Sequence, residues 1–247
     1  MNIKFHPLTY VFLLISFLSG YFEYIYLLLI VILVHEMGHC IFSMIINIKV
    51  KEIVIYPFGG ITILNAPLNT KIYKELISLI GGITFQLLFY FLIYTLYINN
   101  HVTYHVFNII DKINHYLILF NFMPCLPLDG GRLLNLLTDV LFDYKTSCKI
   151  TIFISYIMSI LFVIINHTIF GIILFLFLIK SVYYEQRNIE TKYNNFIFER
   201  YKTKYDFSKI KHIKNINKLK RDYYHIINGK SEDEIVAKMF DKHTYIC

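Results

Sequence analysis

Long apolar runs constrain this chain more than any other feature. Tyr24 to Ile48 and Lys74 to Asn99 are each about 25 residues long and carry almost no charge, and Pro7 to Gly20, Thr151 to Ile165 and Thr168 to Lys180 are shorter runs of the same kind. An α-helix rises 1.5 Å per residue, so roughly 20 apolar residues cross the ~30 Å hydrocarbon core of a bilayer. Composition agrees: 56% of residues are apolar and 17% charged, where a soluble domain carries about a quarter charged. The fold class expected is an all-α polytopic membrane protein. It would have six transmembrane helices, a small β-hairpin inserted over residues 50–65, and a small mixed cytoplasmic tail.

The net charge is +7, and it is concentrated at one end: 15 of the 24 Lys and Arg lie between Lys180 and Cys247. A basic tail raises the question of nucleic acid. After an apolar body, the positive-inside rule accounts for it more simply, so no nucleic-acid partner is expected and the bilayer is. Cys40, Cys125, Cys148 and Cys247 form no Cys-x-x-Cys pair and no disulfide framework. The N-terminus has no small-residue cleavage site, so the first apolar segment is expected to remain as a membrane helix.

Taken in order, the sequence predicts a first helix over residues 6–21 and a second over 24–48. Lys49 to Tyr56 alternates and is β-branched, Pro57 to Gly60 is a turn, and Ile61 to Leu64 reads as a return strand. The third helix is Lys74 to Asn99, whose Gly81-Gly82 pair permits close helix approach. Asn99 to Asn114 reads as a polar loop. The fourth helix starts at Tyr116, breaks at Pro124 and Pro127, and resumes at Leu133 to Phe142, and two more helices follow. With six crossings and both termini in the cytoplasm, only Lys112 falls on the outer side, with Arg132 inside the interrupted helix.

The second helix contains His35-Glu36-Met37-Gly38-His39. Residues four apart share a helix face, so the two imidazoles can grip one Zn²⁺, and Glu36 can act as general base on a water attacking a peptide carbonyl. Catalytic zinc takes three protein ligands and one open position. The third ligand expected is Asp129, the carboxylate beside the broken helix, because an intramembrane acid is costly and functional by default. The remaining histidines, His225 among them, read as surface or interface residues; Cys40 lies one step around the helix from His39 and points elsewhere, and Cys125 reads as apolar filler. An extended substrate could pair with Glu52 to Tyr56 or Ile61 to Leu64 by strand addition. Asn121 either bonds substrate backbone or satisfies the helix break. The alternative function is a membrane metal-binding transporter or sensor, which would need more intramembrane acids than Glu36 and Asp129.

His-Glu-x-x-His on one membrane helix, with Asn121-x-x-Pro124-x-x-Pro127-Leu128-Asp129-Gly130-Gly131-Arg132 on another, resembles the site-2 protease family (peptidase family M50) of intramembrane zinc metalloproteases. Within it the likeness is to the sporulation branch. That likeness is carried also by His6-Pro7, Pro57 to Gly60, Gly81-Gly82 with Gln86, and Tyr184 to Arg187. The resemblance covers roughly residues 1–205. It implies one Zn²⁺ per chain held by His35, His39 and Asp129, a catalytic Glu36, and substrate contacts at Asn121, Phe58, Gly59 and Gly60. It implies a zinc metalloendopeptidase domain over 1–185 and a basic tail over 186–247, which reads either as a reduced regulatory domain or as a separate substrate-docking piece. The substrate implied is a pro-sigma factor or other membrane-tethered regulator, with inhibitory membrane proteins as further partners, in a bacterial cell or forespore membrane.

Overall fold

A computed structural model describes residues 2–57, 59–207 and 209–241 of the chain. They fall into two units, one of residues 1–66 and 74–121, the other of 67–73 and 122–247.

The first unit opens with strand β1 (Asn2–Phe5) and helices α1 (Pro7–Leu18) and α2 (Phe22–Ile45). Strands β2 (Val50–Tyr56) and β3 (Gly59–Leu64) form the expected hairpin. β1 adds to it in parallel, giving the order β1-β2-β3. Ile53 and Ile55 are fully buried while their strand neighbours are not, the period of two that a half-buried sheet requires. Thr9 Oγ1 donates to Ile55 O at 2.9 Å, so α1 is tied to the central strand.

Helix α3 (Ile72–Ile98) crosses α2 at a pair of glycines: a Cβ on Gly38 would sit 2.2 Å from the Gly81 carbonyl oxygen. Helix α4 spans Tyr104–Phe122. The stretch expected to be a polar loop over 99–114 is therefore mostly helix. Ile110, Ile113 and Leu117 recur at helical spacing and are buried, while Asp111 and His115 lie on the wetter face. The polarity that suggested a loop is one face of an amphipathic helix.

In the second unit, α5 (Asp129–Leu141) starts at Asp129, four residues earlier than the sequence suggested. α6 (Tyr144–Ile165) and α7 (Ile169–Arg187) follow. α6 begins seven residues before the expected Thr151, with Asp143 as its N-cap accepting from Thr146 N at 3.0 Å. Hydroxyls and an amide join α5 to α6: Thr138 Oγ1 lies 2.6 Å from Ser147 Oγ, and Thr151 Oγ1 donates to Asn135 Oδ1 at 3.2 Å. Such polar contacts hold helices together where lipid supplies no hydrophobic drive.

The tail is mixed, as expected: α8 (Ile189–Lys202), β4 (Ile210–Ile213), β5 (Tyr224–Ile227), β6 (Lys230–Ser231) and α9 (Glu232–Asp241), with strand order β4-β5-β6. Tyr144 of α6 stacks on Phe196 of α8 with ring centroids 4.4 Å apart. Arg200, Glu232 and His225 are buried together inside the tail. His225, expected at a surface or interface, has no exposed side chain.

Among the described residues, four helices are long and apolar enough to cross a membrane: α2, α3, α6 and α7. α1 is apolar but has 12 residues, about 18 Å of helix. The six-crossing count rests on α1 and the interrupted α4–α5 pair as well. By length and composition those two fall outside the four.

Candidate metal centre

α2 is apolar around its circumference, yet His35, Glu36 and His39 lie on it with 3%, 4% and 4% of their surface exposed. The four-residue spacing puts both imidazoles on one face, with the two Nε2 atoms 3.1 Å apart. One ligand atom from each of His35, Glu36 and His39 fits within a 4.8 Å span.

Hydrogen bonds on the far side of each ring assign the protons. Gln86 Nε2 donates to the Asn114 carbonyl at 3.3 Å, which turns Gln86 Oε1 toward His35 Nδ1 at 2.9 Å. His39 Nδ1 lies 2.9 Å from the Ser78 carbonyl oxygen. Both partners are acceptors, so both Nδ1 atoms carry hydrogen and both Nε2 atoms present lone pairs toward the same point. Two lone pairs at that distance repel unless a cation lies between them. Zn–N bonds of about 2.0–2.1 Å at a tetrahedral angle separate two nitrogens by roughly 3.3 Å, so the donor set fits zinc. Space is kept for it by Gly82 of α3, where a Cβ would sit 2.4 Å from His39 Nε2 and 2.9 Å from His35 Cε1.

Glu36 is placed by the hairpin. Thr62 Oγ1 of β3 donates to Glu36 Oε2 at 2.5 Å. A Cβ on Gly60 would sit 2.3 Å from Glu36 Cγ. The end of α4 brings Asn121 Nδ2 within 3.5 Å of His35 Nε2. The first unit thus gathers His35, Glu36, His39, Asn121 and Gly60. Gly59 adjoins them in sequence with nothing within 4 Å of its Cβ direction. Phe58 lies outside the described residues. Asp129 belongs to the second unit, where it is the first residue of α5 and 8% exposed. A helix N-terminus is a favourable place for a carboxylate charge.

The sequence reading missed Thr62 and gave Gln86 no role. Thr62 lies 26 residues from its partner and Gln86 lies 51 from His35. The only local hint of either was a hydroxyl in a strand and an amide in an apolar helix. It also missed a second buried acid on α5. Asp139 is 1% exposed, and Arg221 Nη1 reaches its Oδ2 at 3.1 Å.

A family profile described as Peptidase family M50 matches residues 23–102. The chain is 25% identical over 206 residues to Stage IV sporulation protein FB of Bacillus subtilis, covering 81% of this chain and 72% of that protein. It is 27% identical over 174 residues to Zinc metalloprotease MJ0392 of Methanocaldococcus jannaschii, covering 67% of this chain and 50% of that one. The solved structure of the Site-2 Protease from Methanocaldococcus jannaschii superposes with a TM-score of 0.60 at 22% identity, covering 75% of this chain and 91% of that chain.

Proposed function

We propose that this chain, a multi-pass membrane zinc metalloprotease with a Peptidase family M50 domain of the site-2 protease class, hydrolyses a peptide bond of a membrane-tethered regulatory protein within the bilayer. The observation that carries this reading is the pair of Nε2 atoms turned to one point beside Glu36 on a membrane-length helix.

In the proposed site His35 and His39 would hold the zinc, with Asp129 as the proposed third ligand. When bound, it supplies a Lewis acid for the scissile carbonyl and the attacking water. Glu36 accepts a proton from that water as the water oxygen bonds to the carbonyl carbon. It then delivers the proton to the amine nitrogen as the C–N bond breaks, leaving one carboxylic acid and one amine. Thr62 holds the Glu36 carboxylate in place meanwhile, and Asn121 is positioned to donate to substrate backbone.

Substrate reaches such a site as extended chain, because a helix shields its carbonyls. β2 pairs with β1 on one side and β3 on the other, so it has no edge to offer. β3 has a neighbour on one side only, among the described residues, and it carries both Gly60 and Thr62 against Glu36. Strand addition therefore belongs to β3, with Gly59 and Gly60 at its start. A pro-sigma factor of sporulation type is the proposed substrate, supported by the likeness to Stage IV sporulation protein FB. Both termini are proposed to lie in the cytoplasm, supported by the charge count.

Two substitutions test the reading. Glu36→Gln should retain zinc and lose cleavage of a co-expressed membrane-tethered substrate by about 10²–10⁴-fold. Asp129→Ala should lose zinc and cleavage together. Undiminished cleavage by Glu36→Gln would remove the proposed base, and full zinc content in Asp129→Ala would remove the third ligand.

A further inference from the structure

Three lysines of the tail, Lys209, Lys211 and Lys220, act on one another, and among the described residues none of them forms an ion pair. Lys209 immediately precedes β4, and Lys211 lies within it. At i and i+2 of extended backbone they share a face. Tyr224 N donates to Lys209 O at 2.8 Å, which sets Lys209 beside the start of β5. Lys209 Nζ lies 5.6 Å from the Tyr223 ring centroid, and Lys220 Nζ lies 5.3 Å from the same ring. Lys209 and Lys211 are exposed, whereas Lys220 is 7% exposed. Its Nζ donates to the Leu141 carbonyl at the end of α5 at 3.2 Å.

Capping α5 explains Lys220 alone. It does not explain why two more ammonium groups gather there. The carboxylates that act on Lys220 are Asp139 and Asp143. Asp139 is engaged by Arg221, and Asp143 caps α6. Of the three donors on the Lys220 ammonium, one is used on Leu141.

We propose that Lys209 and Lys220, which flank the Tyr223 ring, together with Lys211 on the adjoining strand, bind the phosphate of an anionic phospholipid headgroup. The favoured source is lipid because of where the cluster sits. The residue before Lys220 accepts the first amide of α6, Tyr144 N to Leu219 O at 3.0 Å. α6 is an apolar, membrane-length helix. A cationic cluster beside the entry of such a helix lies at headgroup depth. The state of Lys220 fits: burial first and the Lys211 charge next, with a smaller push from Lys209, hold its pKa below the ordinary lysine value against the pull of Asp139 and Asp143. An anionic oxygen between the lysines would relieve that repulsion.

The test uses the full chain, purified in detergent and stripped of lipid. It is titrated with phosphatidylglycerol or phosphatidylcholine, and retained lipid is counted by native mass spectrometry. Lys220 is left intact because of its burial. Phosphatidylglycerol should be retained over phosphatidylcholine by about tenfold or more, from roughly 1 kcal/mol per lysine near an anionic surface. K209Q/K211Q should erase most of that preference while its thermal unfolding matches the parent. K214Q/K218Q, which removes the same charge from nearby exposed positions, should change it by less than about twofold. An unchanged preference in K209Q/K211Q overturns the site. An equal loss in both double variants means diffuse attraction and also overturns it. Displacement of phosphatidylglycerol by inorganic phosphate at equal concentration would make it a free-phosphate site, against the proposal.

Discussion

Two of the clusters that bury ionisable side chains in this molecule are resolved in opposite ways. In the tail, Arg200 Nη1 meets Glu232 Oε1 at 2.7 Å, His225 Nδ1 meets Glu232 Oε2 at 2.9 Å, and Arg200 Nε donates to Asn69 Oδ1 at 2.6 Å. Opposite charges are matched, and the remaining polar atoms are used on backbone, as in Arg200 Nη2 to Lys220 O at 2.9 Å. On α2, like meets like: two imidazole acceptors face one another, with a carboxylate beside them. A buried cluster that closes on itself needs nothing from outside. One whose acceptors point at a common centre calls for a cation. Burial of charge alone thus separates nothing; the sign of what faces each group does.

The largest effect that sharpens this contrast comes from opening the closed cluster. Arg200→Met leaves Glu232 buried without its guanidinium, which should cost about 3–5 kcal/mol. Limited proteolysis of the tail should accelerate accordingly, while zinc content stays at the parent level. Zinc loss in step with tail unfolding would mean that the two clusters are not independent. Replacing Arg200 and Glu232 together with apolar residues of similar volume should recover much of the stability.

A smaller effect is expected at the open cluster. Gln86→Leu removes the acceptor that holds the hydrogen on His35 Nδ1, and zinc affinity should fall by about 10–100-fold. Gln86→Glu supplies an acceptor in the same place and should hold affinity near the parent value. Competition with a chromophoric chelator measures both. Equal affinities in all three proteins would leave Gln86 as packing only.

The first unit's site was legible because its residues are neighbours in sequence: His35, Glu36 and His39 declare a shared helix face by spacing alone. The hairpin was legible from the alternation of Lys49 to Tyr56. What could not be read is what joins distant segments. β1 is four residues long and pairs with β2 about fifty positions away, as Ile3 with Ile53, and nothing in Asn2 to Phe5 announces that. α4 was concealed because its polar face interrupts the apolar count, although its buried face keeps a helical period. Thr62, Gln86 and the Asp139–Arg221 pair each depend on a partner 26 to 82 residues away. Sequence patterns give elements and local chemistry. The orientation of each catalytic or ligating group comes from contacts that no local pattern encodes.

The smallest expected effect is the dependence of the closed cluster on pH. Burial by itself would raise the pKa of Glu232, but the hydrogen bond with His225 and the charge of Arg200 outweigh it, so the pKa lies below the ordinary carboxylate value. A carboxyl with a depressed folded-state pKa contributes stability that is fully present above its unfolded-state value, about 4.3. That contribution is lost as pH falls from there through the folded value. Tail protection, read by hydrogen exchange at β5 and α9, should hold steady from neutral pH down to about 5 and then decline. Glu232→Gln should flatten that acid limb and lower protection at neutral pH. An acid limb of the same depth in Glu232→Gln would assign the pH dependence to another carboxylate of the tail.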